Sequence, residues 1–138
     1  MKIKSLAHVC IKTRDLKRTL EFYCGLLGFK KAFDFTRKGE VIGFYLQAAN
    51  ATFIEVFHSD FVPPLNADRA LHHFCLETDS LDELHRKVCE AGYCPREIIM
   101  GADGTLQFWV QDPNGLDLEF QQYTKRSSQL TGAAVEVE

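Results

Sequence analysis

Two histidines and two glutamates recur at matching places in the two halves of the chain, and together they could bind a metal ion. His73 follows His8 by 65 positions, and Glu119 follows Glu55 by 64. Two imidazoles and two carboxylates suit a divalent metal such as Zn, Ni, Co, Fe or Mn, and the cation would offset the cost of burying two carboxylates. The four residues are far apart in sequence and do not form a local motif such as His-Glu-x-x-His. The metal-site hypothesis therefore depends on their repetition in the two halves.

The segments around the two histidines resemble one another. Residues 6–13 read LAHVCIKT, and residues 71–78 read LHHFCLET. The same offset places Cys10 on Cys75, and a loop can absorb the one-residue slip at the glutamates. We therefore predict two copies of one structural unit, each with a histidine on its first strand and a glutamate on its last.

Hydrophobic periodicity and turn residues predict the order β-α-β-β-β in each half, an α+β arrangement. In the first half the strands are expected at residues 3–13, 30–37, 41–48 and 52–58, with a helix over 15–28. In the second half they are expected at 71–78, 96–100, 105–111 and 116–121, with a helix over 80–92. Ser80 and Glu83 have the spacing of a capping box at the start of that helix.

The predicted organisation is a single domain over residues 1–123. Module 1 spans about 3–58 and module 2 about 71–123, and a Pro-containing loop at 59–69 separates them. Residues 124–138 offer few apolar side chains to bury, so we expect a flexible C-terminal tail there.

Each candidate ligand has a structural alternative. A histidine at a strand start is more often structural than a ligand, and a lone strand glutamate more often faces solvent. Agreement of all four at repeat-equivalent positions favours the metal site. For the other notable side chains we expect structural roles: His72 on the opposite face from His73, His58 and His85 facing solvent, Tyr45 and Trp109 in the core or a cavity wall, and Cys24 and Cys89 packed on helices.

Composition excludes several classes of protein. The 138 residues carry a net charge of −3 and no Lys/Arg-rich stripe, so nucleic acid is not an expected partner. No apolar run is long enough to cross a membrane, and the N-terminus has no apolar signal core. The five cysteines form no CxxC pair, which favours reduced thiols and a cytoplasmic protein.

The sequence resembles the vicinal oxygen chelate superfamily, which includes glyoxalase I, bleomycin-resistance and fosfomycin-resistance proteins, methylmalonyl-CoA epimerase and extradiol dioxygenases. The resemblance covers about residues 3–123 and rests on three segments: AHVCI through EFY to LLGF (7–29), HFCLETDSL (73–81) and DPNG to Leu118-Glu119 (112–119). It implies two tandem βαβββ modules with curled mixed sheets that form a metal-binding cleft. The modules pair within one chain or across a homodimer.

The ligand set resembles that of glyoxalase I, which implies a metal-dependent lyase or isomerase that moves a proton next to a carbonyl. The resemblance assigns the proton transfer to Glu119. Glutathione is a possible co-substrate. The pattern of bacterial glyoxalase I, however, has an Arg four residues after the first His and an Asn four residues after the first Glu, where this chain has Lys12 and Ser59. Lys12 could pair with a substrate carboxylate as a point charge, without the bidentate fork of Arg. An epimerase, an epoxide-opening enzyme, a dioxygenase and a metal-free bleomycin-type binding protein remain as alternatives.

Overall fold

The computed structural model describes residues 3–62 and 71–136, and the chain divides into two compact units. Unit 1 spans Met1–Pro64 and unit 2 spans Leu65–Glu138. The predicted loop at 59–69 lies in large part outside the described residues.

Unit 1 has the predicted order of one helix and four strands. Its elements are β1 (His8–Thr13), α1 (Leu16–Leu20), which continues as a π-helical segment (Glu21–Leu26), β2 (Lys30–Arg37), β3 (Glu40–Ala49) and β4 (Thr52–His58). The sheet has the order β1-β4-β3-β2, in which only the β1–β4 pair is parallel. The first and last strands of the unit are therefore neighbours.

Unit 2 repeats this topology. Its elements are β5 (Phe74–Glu77), α2 (Leu81–Glu90), β6 (Ile99–Met100), β7 (Leu106–Gln111), β8 (Asp117–Gln122) and α3 (Ser128–Thr131). The sheet has the order β5-β8-β7-β6, again with a parallel pair between first and last strands. The predicted α+β fold of two curled βαβββ modules is confirmed.

Strand alternation produces one buried face in the sheet of unit 1. Phe44 and Leu46 of β3 lie opposite Val56 and Ile54 of β4, and all four side chains are buried. The helical side of the unit packs against β4 and adds the buried Phe22 and Tyr23. Each apolar side chain of this size contributes roughly 1.5–3 kcal/mol when fully buried. The opposite face of the sheet carries Glu55, which alternates along β4 with the buried Ile54 and Val56.

Unit 2 buries the corresponding face under α2. Phe108 and Phe120 stack at 4.9 Å between ring centroids, and Val110 lies opposite Leu118. Leu81 and Val88 are the buried side chains of α2, which packs against β7 and β8.

The start of α2 differs from the sequence prediction. Ser80 makes no side-chain capping hydrogen bond, so the predicted capping box with Glu83 is wrong. The backbone N–H of Leu81 instead donates to Oε1 of Gln122 at 2.9 Å. A side chain from β8 thus satisfies a free helix N–H that a local residue was expected to satisfy.

Polar contacts hold the segment that follows β8. The Thr124 hydroxyl donates to the carbonyl of Gly104 at 2.7 Å, and the backbone N–H of Ser128 donates to the carbonyl of Asp103 at 2.8 Å. Ser127 is fully buried, and its hydroxyl accepts a hydrogen bond from Thr105 at 3.0 Å. We expected little packing here because apolar side chains are few, but hydrogen bonds hold these residues instead.

Candidate functional site

In unit 2, Glu119 and His73 lie side by side. Glu119 is on β8 directly opposite Cys75 of the parallel strand β5, and His73 comes immediately before that strand. Nε2 of His73 is 3.4 Å from Oε2 of Glu119, and Glu119 is only 7% exposed. The parallel pairing of first and last strands therefore brings together an imidazole and a buried carboxylate that are distant in sequence.

A buried amide fixes the orientation of the Glu119 carboxylate. Nε2 of Gln121 donates to Oε1 of Glu119 at 3.0 Å. The two residues are two positions apart on β8, so their side chains lie on the same face of the sheet. Gln121 thus holds one carboxylate oxygen while the other faces His73.

His72 contacts His73 rather than lying on the opposite face. Nδ1 of His72 is 2.9 Å from Nδ1 of His73, so one of these nitrogens donates to the other. The prediction for His72 was wrong because β5 begins at Phe74, and strand alternation does not apply before it. A metal-binding histidine commonly has its second nitrogen held by a hydrogen bond, and His72 provides such a contact.

Burial also affects the thiol beside this pair. Burial, followed by the negative charge and hydrogen bond of Glu119, raises the pKa of Cys75 to about 12. Cys75 therefore stays protonated near neutral pH, and its thiol donates to the backbone carbonyl of Leu76 at 3.9 Å.

Unit 1 carries the second predicted pair, His8 and Glu55. His8 begins β1, and Glu55 lies on β4 directly opposite Cys10. His8 is exposed and Glu55 is partly exposed, so this pair is more open than that of unit 2. Burial and a hydrogen bond with Glu55 raise the pKa of Cys10, as Glu119 does for Cys75.

The register shows that the two pairs are equivalent. Cys10 faces Glu55 as Cys75 faces Glu119, and each histidine stands two residues before its cysteine. The one-residue slip in the sequence offset is thus absorbed before the last strand of each unit.

An aromatic side chain contacts the histidine of each pair. The sequence analysis did not predict this contact. Tyr45 lies opposite Glu55 and meets His8 edge-on at 5.7 Å, and Trp109 lies opposite Glu119 and meets His73 edge-on at 4.5 Å. Both were assigned to the core or a cavity wall. A signal was available, because each stands ten residues before its glutamate.

Lys12 lies on the same face of unit 1 as His8 and Cys10. It is exposed on β1, opposite Phe57 of β4. Its positive charge acts on the Cys10 thiol and partly opposes the rise in that pKa. The binding of an anionic substrate group by Lys12 stays a prediction.

The sheet face around Glu55 is aromatic, and we call it the aromatic face. Its five rings are Phe33, Phe35, Tyr45, Phe53 and Phe57. Tyr45 stacks on Phe33 at 4.9 Å and on Phe53 at 5.1 Å, and Phe35 stacks on Phe57 at 4.6 Å. Such a face can bind an apolar or planar group.

Each unit supplies two of the four predicted ligands. Among residues 3–62 and 71–136, no group of three or more His, Cys, Asp and Glu side chains is close enough to bind a metal by itself. The four-residue metal site of His8, Glu55, His73 and Glu119 therefore stays a prediction, supported by the pair geometry within each unit.

Comparison with known families identifies the fold. The family model described as Glyoxalase/Bleomycin resistance protein/Dioxygenase superfamily matches residues 5–120. The chain belongs to this superfamily. This confirms the resemblance inferred from the sequence, while the individual members differ in chemistry. No curated protein matches the chain.

Solved structures with the superfamily fold resemble the chain over nearly their whole lengths. A glyoxalase family protein from Enterococcus faecalis has a TM-score of 0.75 and 24% identity, covering 88% of this chain and 99% of that one. TnmS3, an antibiotic binding protein from Streptomyces sp. CB03234, has a TM-score of 0.73 and 18% identity over 90% and 99%. Lactoylglutathione lyase from Agrobacterium tumefaciens has a TM-score of 0.67 and 15% identity over 88% and 96%. At these identities the likeness shows the fold alone.

In the part of the chain that the structure describes, no helix has the length and apolar character needed to span a bilayer. The cytoplasmic location and the homodimer stay predictions.

Proposed function

We propose that this superfamily member is a metal-dependent lyase or isomerase that moves a proton next to a substrate carbonyl, as glyoxalase I does. His8, Glu55, His73 and Glu119 would hold one divalent metal ion. The observation that carries the proposal is the buried Glu119 carboxylate beside His73, in a register that unit 1 repeats with His8 and Glu55.

The donor set fits a divalent cation. A carboxylate that is 7% exposed is costly to bury without a compensating charge, and a cation beside it would supply that charge. Imidazole and carboxylate donors suit Zn, Ni, Co, Fe and Mn. When bound, the metal would act as a Lewis acid on the negative charge that develops at the substrate oxygen.

Glu119 is the proposed base. Its carboxylate would accept a proton from the carbon next to the carbonyl and return it to the neighbouring carbon. Gln121 holds Oε1, which fixes the direction in which Oε2 faces. A base held in one orientation meets its substrate at lower entropic cost than a free one.

The surroundings of Glu55 bear on the substrate. The aromatic face favours a substrate with an apolar or planar group beside its carbonyl, and Lys12 adds one positive charge for an anionic group. The hemithioacetal of glutathione and methylglyoxal is the first substrate to test, because it combines the required carbonyl chemistry with carboxylates that Lys12 could bind.

The test is to strip the protein of metal and reconstitute it in turn with Ni, Co, Zn, Mn and Fe, measuring bound metal and turnover of this hemithioacetal. Turnover restored by one or two metals would support the full proposal. Tight metal binding without turnover would keep the site and direct the substrate search to epimerase, epoxide and catechol chemistry. A protein that binds none of the five metals would overturn the proposal.

Histidine variants provide matched controls for the metal measurement. His8→Ala and His73→Ala should each lower metal affinity, since each removes a proposed ligand. His58→Ala removes an exposed histidine whose contact is Asp60, at 3.9 Å. Metal affinity should be unchanged in that variant, and equal losses in all three would count against the assigned ligands.

The aromatic face favours a second candidate function, the binding of an aromatic compound without turnover. Five rings on one sheet face are more than a metal site needs, and TnmS3, whose fold this chain shares, is described as an antibiotic binding protein. Binding of bleomycin by the metal-stripped protein, followed by intrinsic fluorescence, would support this candidate. Absence of binding would exclude this second candidate and leave the metal-dependent enzyme as the proposed function.

A further inference from the structure

We propose that Cys89 is a nucleophilic thiol activated by His85, and that it forms a modification site for α,β-unsaturated carbonyl compounds on α2 of unit 2. The two residues are four positions apart, so they lie on the same side of the helix. Sγ of Cys89 is 3.8 Å from Nδ1 of His85. Neither residue belongs to the candidate metal site.

The contacts of His85 determine which nitrogen carries its proton. Nε2 of His85 is 3.0 Å from the backbone carbonyl oxygen of Arg96. A carbonyl oxygen can only accept a hydrogen bond, so Nε2 must be the protonated nitrogen. In the neutral ring Nδ1 is then a free acceptor, and it faces the Cys89 thiol. His85 is therefore in the tautomer that a general base for Cys89 requires.

The imidazole is also held in place from its other side. The ring of Phe108, which is fully buried, meets the His85 ring edge-on at 5.0 Å. His85 is partly buried as a result, whereas the sequence analysis expected it to face solvent. A nucleophile next to a base, with the base oriented by a third group, is the arrangement found in activated thiols.

The surroundings of Cys89 make its reactivity depend on His85. Cys89 lies in the last turn of α2, so the partial positive charge at the helix N-terminus does not act on its sulfur. The nearby charged side chains are paired along the helix, Arg86 with Glu90 and Lys87 with Glu83. The base must therefore take the proton as the thiol reacts.

The other four cysteines provide internal comparisons. Cys24 is partly buried, and Cys10 and Cys75 stand opposite Glu55 and Glu119, so each of the three differs from Cys89 in its surroundings. Cys94 is exposed like Cys89. No imidazole lies within hydrogen-bond reach of Cys94 among the described residues.

The reaction balances without an additional reagent. The Cys89 thiol proton passes to Nδ1 of His85, and the sulfur electron pair forms a bond to the β-carbon of the unsaturated carbonyl compound. The electron pair of the carbon–carbon double bond moves to the α-carbon, which takes the proton from the imidazolium. The product is a thioether, and His85 returns to its neutral form.

The experiment is to treat the full chain with a substoichiometric amount of N-ethylmaleimide and to follow the labelling of all five cysteines by peptide mass spectrometry. We expect Cys89 to react at least about tenfold faster than Cys94, a modest share of the usual contribution of a general base. Equal rates at Cys89 and Cys94 in the unaltered protein would overturn the proposal.

A His85→Gln variant separates the base from its surroundings, because the Gln amide can still donate to the Arg96 carbonyl. Labelling of Cys89 should fall to the rate of Cys94, while the rate of Cys94 itself stays the same. An unchanged rate at Cys89 would overturn the proposal. Faster labelling of the partly buried Cys24 would reveal a loosened fold in the variant, and the comparison of Cys89 with Cys94 in the unaltered protein would then decide.

Discussion

The two units share a backbone register but surround their glutamates differently. Tyr45 and Trp109 occupy the same position opposite Glu55 and Glu119. Phe33 and Phe53 stack on Tyr45 in unit 1, whereas in unit 2 Asp117 stands at the position that matches Phe53. The amide of Gln121 holds Glu119, while Phe57 stands at the matching position beside Glu55.

This difference is the basis for a proposed division of labour between two copies of one fold. The polar surroundings of Glu119 hold a buried carboxylate in one orientation, which suits a base. The rings around Glu55 offer apolar surface but no amide to fix the carboxylate, which suits contact with a substrate. Duplicated units can thus keep a ligand pair while their surfaces acquire separate roles.

Glu119→Gln should have the largest effect on activity. The amide keeps the shape of the side chain but cannot accept a proton, so turnover should fall at least about 100-fold if Glu119 is the base. The measurement is kcat of the metal-reconstituted protein, with thermal unfolding to show that the fold is intact. Glu55→Gln is the matched control, and a larger loss of kcat in that variant would reverse the proposed division of labour.

Gln121→Leu should have the next largest effect. Leucine fills a similar volume but cannot donate to Oε1 of Glu119, so the carboxylate loses the contact that fixes it. Loss of such a supporting contact typically lowers metal affinity or activity by about 10- to 100-fold. Metal affinity and kcat are the measurements, and Gln107→Leu, on the neighbouring strand opposite Gln121, is the control. Equal, small effects in both variants would show that Gln121 does not position Glu119.

Gly43→Ala tests how the aromatic face is built. Gly43 lies between Phe35 and Phe57, so the two rings can stack above it. A methyl group there would clash with the carbonyl oxygen of Val56 and with the Phe57 ring, 2.8 Å away. We expect a loss of about 1–3 kcal/mol in the free energy of unfolding, measured by denaturant titration.

Gly25→Ala is the control for that substitution. Gly25 lies in the π-helical segment, and a methyl group there would meet nothing within 4 Å. Its stability should be unchanged or slightly raised, because alanine loses less backbone entropy on folding. A Gly43→Ala variant as stable as Gly25→Ala would mean that the aromatic face tolerates a side chain beneath the rings.

Periodicity in the sequence was sufficient to predict the units but not their cross-strand contacts. β2 and β4 have the predicted bounds, because both contain aromatic or β-branched residues and follow turn residues, Gly28 and Asn50. The contact of Gln121 with Glu119 was missed, although only two residues separate them, because alternation does not show which polar neighbour a carboxylate will bind. The contact of Gln122 with Leu81 was missed because it spans 41 positions of the chain.

The ligand pairs were predicted from repetition rather than from local pattern. Duplication leaves nearly equal offsets in the sequence, and the offsets of 65 and 64 matched His8 with His73 and Glu55 with Glu119. The same offsets held for Tyr45 and Trp109, but these differ in residue type, so the repetition was not noticed. In a duplicated fold, residues at equivalent positions are therefore worth comparing even where their residue types differ.

Phe33→Ala should have the smallest effect and is the most direct test of the aromatic face as a substrate surface. Phe33 is 48% exposed and stacks on Tyr45, so its removal should cost little stability. Loss of one aromatic contact with a bound substrate is worth about 0.5–1.5 kcal/mol, which would raise KM several-fold. The change should appear in KM while kcat stays nearly constant, because the ring of Phe33 contacts Phe35 and Tyr45 and is not a proposed metal ligand or base.

The control for Phe33→Ala is Gln111→Ala, which removes an exposed side chain from the corresponding face of unit 2. If substrate contacts are concentrated on the aromatic face, KM should change in the first variant and not in the second. Equal changes in KM would mean that both faces bind substrate. A fall in kcat without a change in KM for Phe33→Ala would mean that the rings support the reacting groups, and the separation of binding from proton transfer between the two units would then be wrong.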